Sequence, residues 1–413
     1  MNTTSLYEEY YNCRVCREGV ISEVLSLSSQ PPANYLIDPS GSNKVQPIPL
    51  TFGICQDCGT LQLRETIKAE NLYTNYTWVS GTGATTRAFS FEFELMVRSE
   101  IGGYSRVLEF ASNDGTFLKP FQRNSEMALG VEPAENIVKI ALAEGCETVH
   151  GFYSPVTAQL INEKYGGDFD LIFGRNVVAH VNDPQQIATS VEINLSENGC
   201  LIVEVHDALK ILEQTQYDSI YHEHIFFHTL KSLGKIFGSV GLRPFHVIEG
   251  PLSGGSLIVF LDRGIRKVRD SIYSRQTSES RALLGNAETW LRFSDRAKSH
   301  ITSLGALVKR YEGKVYAFGQ SARGTVLLHC ANLDRRYVAG VIDNSPLKQG
   351  KTIPQLGVGI SSLDQVSDSL SNIEAILILA WNFEQEISQQ LRLCGYRGDI
   401  IVPFPDVDIK RFE

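Results

Sequence analysis

The sequence predicts an α/β protein in three parts: a small zinc-binding segment at the N-terminus, a central domain built on a parallel sheet, and a smaller α/β domain at the C-terminus. Three observations lead to this fold class. Two Cys-x-x-Cys pairs lie before residue 60, strand-length hydrophobic runs then alternate with helix-length segments, and this alternation restarts near Lys314. Alternating strands and helices are typical of a parallel sheet with crossover helices.

The length of 413 residues exceeds the roughly 250–300 residues at which a single core stops growing, so several domains are expected. The stretch from about Lys267 to Arg310 is polar and rich in Glu, Arg and Ser, which indicates a helical bridge between two α/β units. The pattern predicts a zinc-binding domain at 1–70, a central domain at 71–265, a helical connection at 266–311 and a C-terminal domain at 312–413.

Composition and charge disfavour some classes of partner. With 43% hydrophobic and 21% charged residues, the chain has the make-up of a folded globular protein. Its net charge of −9 argues against nucleic acid, because such binding relies on excess Lys and Arg. No apolar run approaches the roughly 18 residues of a membrane span, and the first residues do not resemble a signal peptide. We expect a cytoplasmic monomer or weak homodimer with no membrane or nucleic-acid partner.

Two Cys-x-x-Cys pairs indicate a metal site. Cys13 with Cys16 and Cys55 with Cys58 supply four thiolates, the ligand set of a closed tetrahedral zinc site. The surrounding segment has too little apolar mass for its own core, so zinc would supply its stability. Four thiolates leave no position open for a substrate, so the zinc is expected to be structural. A redox pair and a chance pairing of core cysteines are the alternatives.

A hydrophobic strand, Arg106–Phe110, runs into a loop of acidic and small residues. Glu109 and Asp114 can face the cationic part of a zwitterionic aminoacyl sulfonium, and Gly115 lets the backbone approach a ligand closely. The residues predicted to bind this cofactor are Glu109, Ala111, Ser112, Asn113, Asp114 and Gly115. Taken alone, the loop is also compatible with a simple β-turn.

Two further strands end in polar residues at the same predicted sheet edge. Glu132 and Pro133 end the next strand, at a place where an acidic side chain typically holds a ribose diol. The third strand leads through Arg175 and Asn176 to His180, where a cofactor's methyl group and its acceptor would meet. These strand ends add Glu132, Pro133, Arg175 and Asn176 to the predicted cofactor site.

A cluster of titratable residues follows the strand Cys200–Val205. The segment from Tyr217 to His228 holds three of the nine histidines of the chain, together with one Glu and two Tyr. Histidine titrates near neutrality and a neighbouring Glu can orient it, so the cluster favours acid–base catalysis. A histidine-rich surface and a metal site are the alternatives.

The C-terminal part offers a second candidate binding loop. Asn344 and Lys348 lie in a polar segment that follows a predicted strand. Lys348 and the backbone amides around it are suited to a diphosphate. An ordinary turn is the alternative.

Together these motifs resemble the three-domain sugar C-methyltransferases that act at C-3 of nucleoside-diphosphate deoxysugars. The resemblance covers nearly the whole chain and rests on CRVC, CQDCGTLQL, EFASNDGTFL, GVEPAENI, GRNVVAHVNDP, YDSIYHEHIFF, GGSLIVFL, FGQSARGTVLL, DNSPLKQGKTIP and LAWNF. It implies a zinc-binding domain, a central class I S-adenosylmethionine (SAM) methyltransferase domain of Rossmann-like fold, and a C-terminal Rossmann-like domain. The last is expected to help bind a dTDP- or GDP-linked keto-deoxysugar without a nicotinamide cofactor.

Carried over residue by residue, the resemblance assigns the catalytic histidine to His224, its adjacent acid to Glu223 and the tyrosine of the same motif to Tyr221. It also places His180, after the third strand, and Tyr76, after the zinc-binding domain, in the catalytic set.

The sequence departs from many relatives at positions expected to contact the sugar. It has Ser80-Gly81-Thr82-Gly83 in place of SSxS, Ser253 in place of His, and Arg323 in place of Lys. These differences leave the exact substrate open. The residues predicted to bind substrate are Ser80, Arg323, Asn344 and Lys348.

The implied reaction requires a base because a saturated sugar carbon is not a nucleophile. Loss of the proton next to a ketone creates an enolate that can attack the sulfonium methyl group. We predict His224 as the base, with Glu223 holding its tautomer. Tyr221, Tyr76 and His180 are expected to position groups or donate hydrogen bonds near the enolate oxygen. An O- or N-methyltransferase acting on a sugar or small metabolite and an inactive zinc-containing scaffold are the alternatives.

Overall fold

The computed structural model describes residues 6–39, 45–69, 72, 79–252 and 254–411. These residues form a four-stranded sheet near the N-terminus, a seven-stranded sheet in the centre, a second seven-stranded sheet at the C-terminus and one two-stranded pair. The predicted α/β class is confirmed.

The N-terminal and central parts contain strands β1 to β13. The N-terminal strands are β1 (Tyr7–Glu9), β2 (Ile21–Gln30), β3 (Ile48–Cys55), β4 (Leu61–Leu63) and β5 (Glu65–Ile67). The central elements are α1 (Ala84–Ile101), β6 (Arg106–Phe110), α2 (Lys119–Gln122), β7 (Met127–Glu132), α3 (Glu135–Ala143), β8 (Thr148–His150), α4 (Pro155–Tyr165), β9 (Phe169–Arg175), α5 (Pro184–Asn194), β10 (Leu195–His206), α6 (Ala208–Glu213), β11 (Phe226–Phe227), α7 (Leu230–Gly238), β12 (Arg243–Gly250) and β13 (Ser256–Asp262).

The central sheet has the order β12-β13-β10-β9-β6-β7-β8. The five strands from β10 to β8 run parallel, and β13 and β12 add antiparallel pairings at one edge. From β6 the chain continues to β7 on one side and later returns to β9 on the other. Such a reversal opens a crevice at the carboxyl ends of β6 and β9, which is where open α/β sheets bind ligands.

The N-terminal sheet is completed by a strand from the central part. Its order is β11-β4-β3-β2, so the two residues of β11 pair with β4. The predicted catalytic segment therefore runs directly into the sheet of the zinc-binding part.

Two helices, α8 (Asp270–Arg281) and α9 (Ala287–Lys309), form the helical connection. Trp290 and Phe293 of α9 are fully buried, and the Trp290 ring lies 5.4 Å from the ring of Phe52 on β3. The long helix thus packs on the N-terminal sheet as well as bridging two units. Within the described ranges, no helix has the length and apolar character needed to cross a membrane.

The C-terminal sheet repeats the alternating pattern. Its elements are β14 (Val315–Phe318), α10 (Ala322–Cys330), β15 (Val338–Ile342), β16 (Thr352–Ile353), β17 (Val358–Ser361), α11 (Leu363–Val366), β18 (Ala375–Ile378), α12 (Glu384–Leu393), β19 (Asp399–Val402) and β20 (Asp408–Lys410). The strand order is β16-β17-β15-β14-β18-β19-β20, with five parallel strands between two antiparallel edge strands.

Candidate active site and zinc site

The four cysteines of the two Cys-x-x-Cys pairs converge. The Sγ–Sγ distance is 3.7 Å between Cys13 and Cys58 and 3.6 Å between Cys16 and Cys55. A tetrahedron with Zn–S bonds of about 2.3 Å places its sulfur atoms about 3.8 Å apart, so this spacing fits zinc. Gly19 lies against the cluster, where an added Cβ would come within 2.4 Å of Cys55 Sγ. No other group of three or more potential ligands in the described part of the chain is close enough to share a metal ion.

Three carboxylates lie at the carboxyl ends of β6 and β7. Glu109, Asp114 and Glu132 are all buried. Burial raises the pKa of Glu109 well above its ordinary value, and the two neighbouring carboxylates add to the rise. Among the described residues, Glu109 Oε2 has no hydrogen-bond partner although it is buried. A buried acidic cluster with an unpaired oxygen fits the amino group of SAM.

The loop after β6 turns tightly. Ala111 and Asn113 have φ angles of 52° and 50°, a left-handed conformation that residues other than glycine seldom adopt. Gly115 has a φ of 79°, and an added Cβ there would lie 2.5 Å from Cys146 Sγ. Gly115 is therefore needed for packing against Cys146, in addition to the predicted approach of a ligand. Ser112 Oγ is buried and lacks a partner in the part of the chain that the structure describes.

Asp114, a predicted cofactor residue, is bound by backbone amides of its own part of the chain. Its two oxygens accept hydrogen bonds from the backbone N–H groups of Gly81 at 2.9 Å and Thr116 at 3.2 Å. Asn113 Oδ1 likewise accepts from the N–H of Ser80 at 2.9 Å. Asp114 therefore organises the loop and ties it to the short 3₁₀ helix Ser80–Thr82.

Glu132 is held at both carboxylate oxygens. The N–H of Asn113 donates to Oε2 at 3.0 Å and the N–H of Ala134 donates to Oε1 at 2.9 Å. Burial nevertheless raises its pKa. Each oxygen keeps a further lone pair, so Glu132 can also accept from a ribose hydroxyl. The carbonyl of the neighbouring Pro133 lies 3.1 Å from His150 Nε2.

Two predicted cofactor ligands, Arg175 and Asn176, form hydrogen bonds with Glu204 of β10. Arg175 Nε donates to Glu204 Oε2 at 2.5 Å, and the guanidinium carbon lies 3.4 Å from the ring centre of Phe117. Asn176, with a φ of 50°, donates its N–H to the Glu204 carbonyl at 2.7 Å. Arg175 is thus held in a buried ion pair, a role that the sequence does not reveal.

The tautomer of His224 follows from its two hydrogen bonds. Nδ1 lies 2.8 Å from the carbonyl oxygen of Ser219, and a carbonyl can only accept, so this hydrogen-bond network assigns the proton to Nδ1. Nε2 therefore carries the lone pair, and it lies 2.6 Å from the hydroxyl of Tyr221. Tyr221 donates to the basic nitrogen of His224. The basic atom of the predicted base thus already makes a short hydrogen bond to an acidic hydroxyl group.

Two further histidines surround His224. The rings of His180 and His206 lie 4.9 Å and 5.4 Å from the His224 ring, both edge to face. Burial lowers the pKa of His224 well below its ordinary value, and the charges of His180, His206 and Arg323 lower it further. Burial also lowers the pKa of His180 to about 4. His180 and His224 are consequently neutral near pH 7.

Glu223 does not hold the tautomer of His224, contrary to the prediction. Both oxygens of Glu223 accept from Asn34 Nδ2, at 2.8 and 3.0 Å, and the Ser219 carbonyl takes the orienting role. His222 faces the zinc-binding part, with Nε2 3.1 Å from the carbonyl oxygen of Pro49.

Arg323 joins the C-terminal part to the segment that carries His224. Its Nε and Nη2 donate to the two oxygens of Asp218 at 2.9 and 2.8 Å. Trp381 Nε1 donates to the same carboxylate at 2.9 Å, and the guanidinium carbon lies 4.6 Å from the Trp381 ring centre. The predicted substrate residue Arg323 is therefore neutralised by a buried carboxylate.

The other predicted substrate residues have modest contacts. Lys348 Nζ donates to the Gln320 carbonyl at 2.6 Å, and exposed Asn344 pairs with Gln390 at 3.2 Å. Predicted Tyr76 and the departure at Ser253 lie outside the described residues.

Sequence reasoning missed His206, Ser219 and Asn34. A signal for His206 was present, because it ends β10 at the same sheet edge as the other polar strand ends. Ser219 acts through its carbonyl, and Asn34 lies 189 positions from Glu223 in the chain. Neither of these two contacts has a local sequence signal.

Comparisons with known proteins agree with this architecture. Residues 13–73 match a zinc binding domain family, residues 84–247 a methyltransferase domain family, and residues 251–405 the C-methyltransferase C-terminal domain family. The chain is 29% identical over 405 residues to the C-methyltransferase NovU of Streptomyces niveus, covering 95% of each protein.

Solved methyltransferase structures resemble less than half of this chain. A SAM-dependent methyltransferase of Clostridium acetobutylicum is 13% identical, with 44% of this chain and 93% of that chain covered and a TM-score of 0.35. Magnesium protoporphyrin IX methyltransferase of Synechocystis with bound SAM is 13% identical, with 44% and 79% covered and a TM-score of 0.32.

The family matches confirm the predicted enzyme class and the two predicted cofactors, SAM and zinc. The three family models follow one another along nearly the whole chain, and NovU aligns with it almost end to end. Along its length the chain thus carries a zinc binding domain, a methyltransferase domain and the C-methyltransferase C-terminal domain, in that order, and it is similar to a C-methyltransferase almost end to end.

Proposed function

We propose that this enzyme methylates C-3, one of the two ring carbons next to the ketone, of a nucleoside-diphosphate 4-keto-deoxysugar. The observation that carries the proposal is the His224–Tyr221 pair, in which a neutral imidazole presents its lone pair to a phenolic hydroxyl at 2.6 Å. Methylation at oxygen or nitrogen has less need of such a base, because those atoms already carry a lone pair. Similarity to a C-methyltransferase supports the same choice.

In the proposed reaction, His224 and Tyr221 act as one proton acceptor. The C-3 proton moves to the Tyr221 oxygen while the Tyr221 hydroxyl proton moves to His224 Nε2, so the tyrosine stays neutral. The electron pair of the broken C–H bond forms the enolate with the neighbouring carbonyl. The Ser219 carbonyl continues to accept from Nδ1, which holds the resulting imidazolium in place.

The surroundings of His224 favour this role. Its lowered pKa keeps it neutral near pH 7, so it is ready to accept a proton. His180 and His206 lie on the flanks of the ring, where an imidazole N–H is placed to donate to the enolate oxygen. We retain His180 as a positioning group and add His206.

SAM, when bound, supplies the electrophilic methyl group. Glu109 is proposed to pair with its amino group, because a buried Glu109 oxygen has no partner among the residues described. Glu132 is proposed to accept from its ribose. The loop Ala111–Gly115 would line the same crevice with backbone atoms.

The sugar nucleotide is proposed to reach this edge from the C-terminal side. Arg323 is already bound to Asp218, so it can attract a diphosphate only in competition with that carboxylate. Lys348, Asn344 and Ser80 remain candidate contacts.

Three further predictions keep that standing. They are the domain limits 1–70, 71–265, 266–311 and 312–413, a monomeric or weakly dimeric state, and a cytoplasmic location.

Product analysis tests the proposal. Purified enzyme is incubated with ¹³C-methyl-labelled SAM and with dTDP- or GDP-linked 4-keto-6-deoxyhexoses, and the position of the new methyl group is read by NMR. We expect a methyl group on C-3 of the product. With S-adenosylhomocysteine in place of SAM, we expect solvent deuterium to enter at C-3 of the unmethylated sugar. A methyl group on oxygen or nitrogen would overturn the proposal, as would failure to methylate any of these sugars.

A further inference from the structure

Arg14, inside the first Cys-x-x-Cys pair, is a buried cation that links the N-terminal sheet to two segments of the central part. It is only 8% exposed. Its Nε donates to Gln62 at 3.2 Å and its Nη2 donates to the carbonyl of Leu63. Its Nη1 donates to Thr66 at 2.6 Å and to Asn182 at 3.1 Å. All three nitrogens of the planar guanidinium are therefore used, which a lysine ammonium cannot reproduce.

One end of this network is the zinc site. Gln62 Nε2 donates to Cys13 Sγ at 3.1 Å, and Gln62 Oε1 accepts from both the N–H and Nε of Arg14. A thiolate accepts only, so the Gln62 amide must turn its oxygen toward Arg14. With zinc bound, the four thiolates would leave the cluster with a net negative charge, which would stabilise the nearby guanidinium. Side chains that contact metal ligands in this way orient them and tune the site.

The other end is the pair of segments that carry the proposed catalytic histidines. Asn182 lies two residues after His180. On the other side, the Arg14 guanidinium carbon lies 5.0 Å from the ring centre of Phe226, whose Cα is paired with that of Gln62 between β4 and β11. The N–H of Leu63 also donates to the carbonyl of Ile225 at 2.8 Å.

We propose that Arg14 is a positioning residue that couples the four-cysteine site to the segments carrying His180 and His224. Through Gln62 it is oriented by Cys13, and through Asn182 and Phe226 it fixes where these segments lie. The integrity of the zinc site then sets the geometry of catalysis, although no metal ligand touches substrate. This inference rests on the proposed roles of His180 and His224.

The neighbouring Arg17 provides a matched control. Its side chain is 66% exposed and pairs with half-exposed Asp183 at 3.2 Å. It therefore also connects the zinc-binding part to the central part, but through a solvated ion pair of the kind that contributes little. Arg14→Lys and Arg17→Lys make the same chemical change in the same turn of the chain.

The test combines three measurements on the full-length enzyme. For Arg14→Lys we expect unchanged zinc content and unchanged S-adenosylhomocysteine affinity. Amide exchange in peptides covering 178–182 and 224–227 should be faster, and kcat should fall about 10–100-fold with little change in KM, as is typical when the support of a site is lost. Arg17→Lys should match the parent protein. Asn182→Ala, which removes only the far contact, should speed exchange in 178–182.

Other results would overturn the inference. Loss of zinc in Arg14→Lys would mean that the residue only supports the Cys-x-x-Cys turn. Wild-type rates of amide exchange in both segments would mean that no coupling exists. Equal effects of Arg14→Lys and Arg17→Lys would remove the special role of the buried cation. Exchange and zinc content do not depend on the sugar, so they still decide the question if the parent protein fails to methylate the proposed substrate.

Discussion

Replacing His224 with Asn should keep the hydrogen bond that Nδ1 makes and remove the one that Nε2 makes. The Asn amide can still donate to the Ser219 carbonyl, which now lies 2.8 Å from Nδ1, but no atom replaces the Nε2 lone pair that faces Tyr221 at 2.6 Å. The variant should therefore fold and lose its base. Removal of a general base typically costs about 10²–10⁴-fold in kcat, which corresponds to roughly 3–5.5 kcal/mol of transition-state stabilisation.

The assay follows methyl transfer and solvent deuterium entry at the carbon next to the ketone, with cofactor affinity measured by calorimetry. For His224→Asn, both rates should fall together while S-adenosylhomocysteine still binds. His222→Asn is the control, because the described hydrogen bonds of His222 are to the backbone of the N-terminal sheet, the Pro49 carbonyl first among them. We expect it to cost about 1–3 kcal/mol of stability with little change in kcat.

Tyr221→Phe tests whether the pair acts as a unit. It should slow proton removal, and adding it to His224→Asn should cause little further loss, because residues in one proton path are strongly non-additive. The reasoning is refuted if His224→Asn keeps near-normal turnover while His222→Asn abolishes it. A fall in turnover on acidification centred near the ordinary histidine pKa would contradict the buried, neutral state of His224.

Three further predictions concern the metal, the cofactor and pH. Purified protein should contain about one zinc per chain, and Cys55→Ser should be unstable or insoluble whereas Cys394→Ser, at an exposed position, should not; metal analysis without zinc would contradict this. Glu132→Ala should weaken S-adenosylhomocysteine binding in calorimetry, whereas Glu135→Ala, at the exposed start of the next helix, should not; equal affinities would remove Glu132 from the site. Burial raises the pKa of Glu223 from 4.5 to about 7. The folded state thus binds this proton more tightly than the unfolded chain, so stability should fall by roughly 3 kcal/mol as pH rises from about 4.5 to about 7. Glu223→Gln should remove that slope in thermal unfolding, and a slope identical to that of the parent would exclude Glu223 as its source.

Local patterns carried much of the fold prediction. Alternating strands and helices predicted both α/β units, and the spacing of the cysteine pairs predicted a site whose sulfur atoms are now seen to converge. The polar ends of β6, β7 and β9 meet at one sheet edge as expected, because parallel strands place their carboxyl ends together.

Side-chain partners were less predictable. The sequence places Glu223 beside His224, yet Glu223 binds Asn34 and His224 binds Ser219 and Tyr221. Adjacent side chains in such a segment point in different directions, so chain neighbours need not be partners. Asp114 and Arg175 likewise have partners inside the protein that the sequence does not reveal, backbone amides for Asp114 and Glu204 for Arg175.

By itself, the sequence determined the classes of element, the convergent cysteine set and the sheet edge at which polar strand ends meet, because these depend on periodicity and short spacings. Only the tertiary structure decided which nitrogen of His224 is basic, that His206 flanks it, and that Arg14 reaches the catalytic segments from the zinc site. Those facts depend on contacts between residues far apart in the chain. Packing and the demand of buried polar groups for partners select such contacts, and no local pattern encodes them.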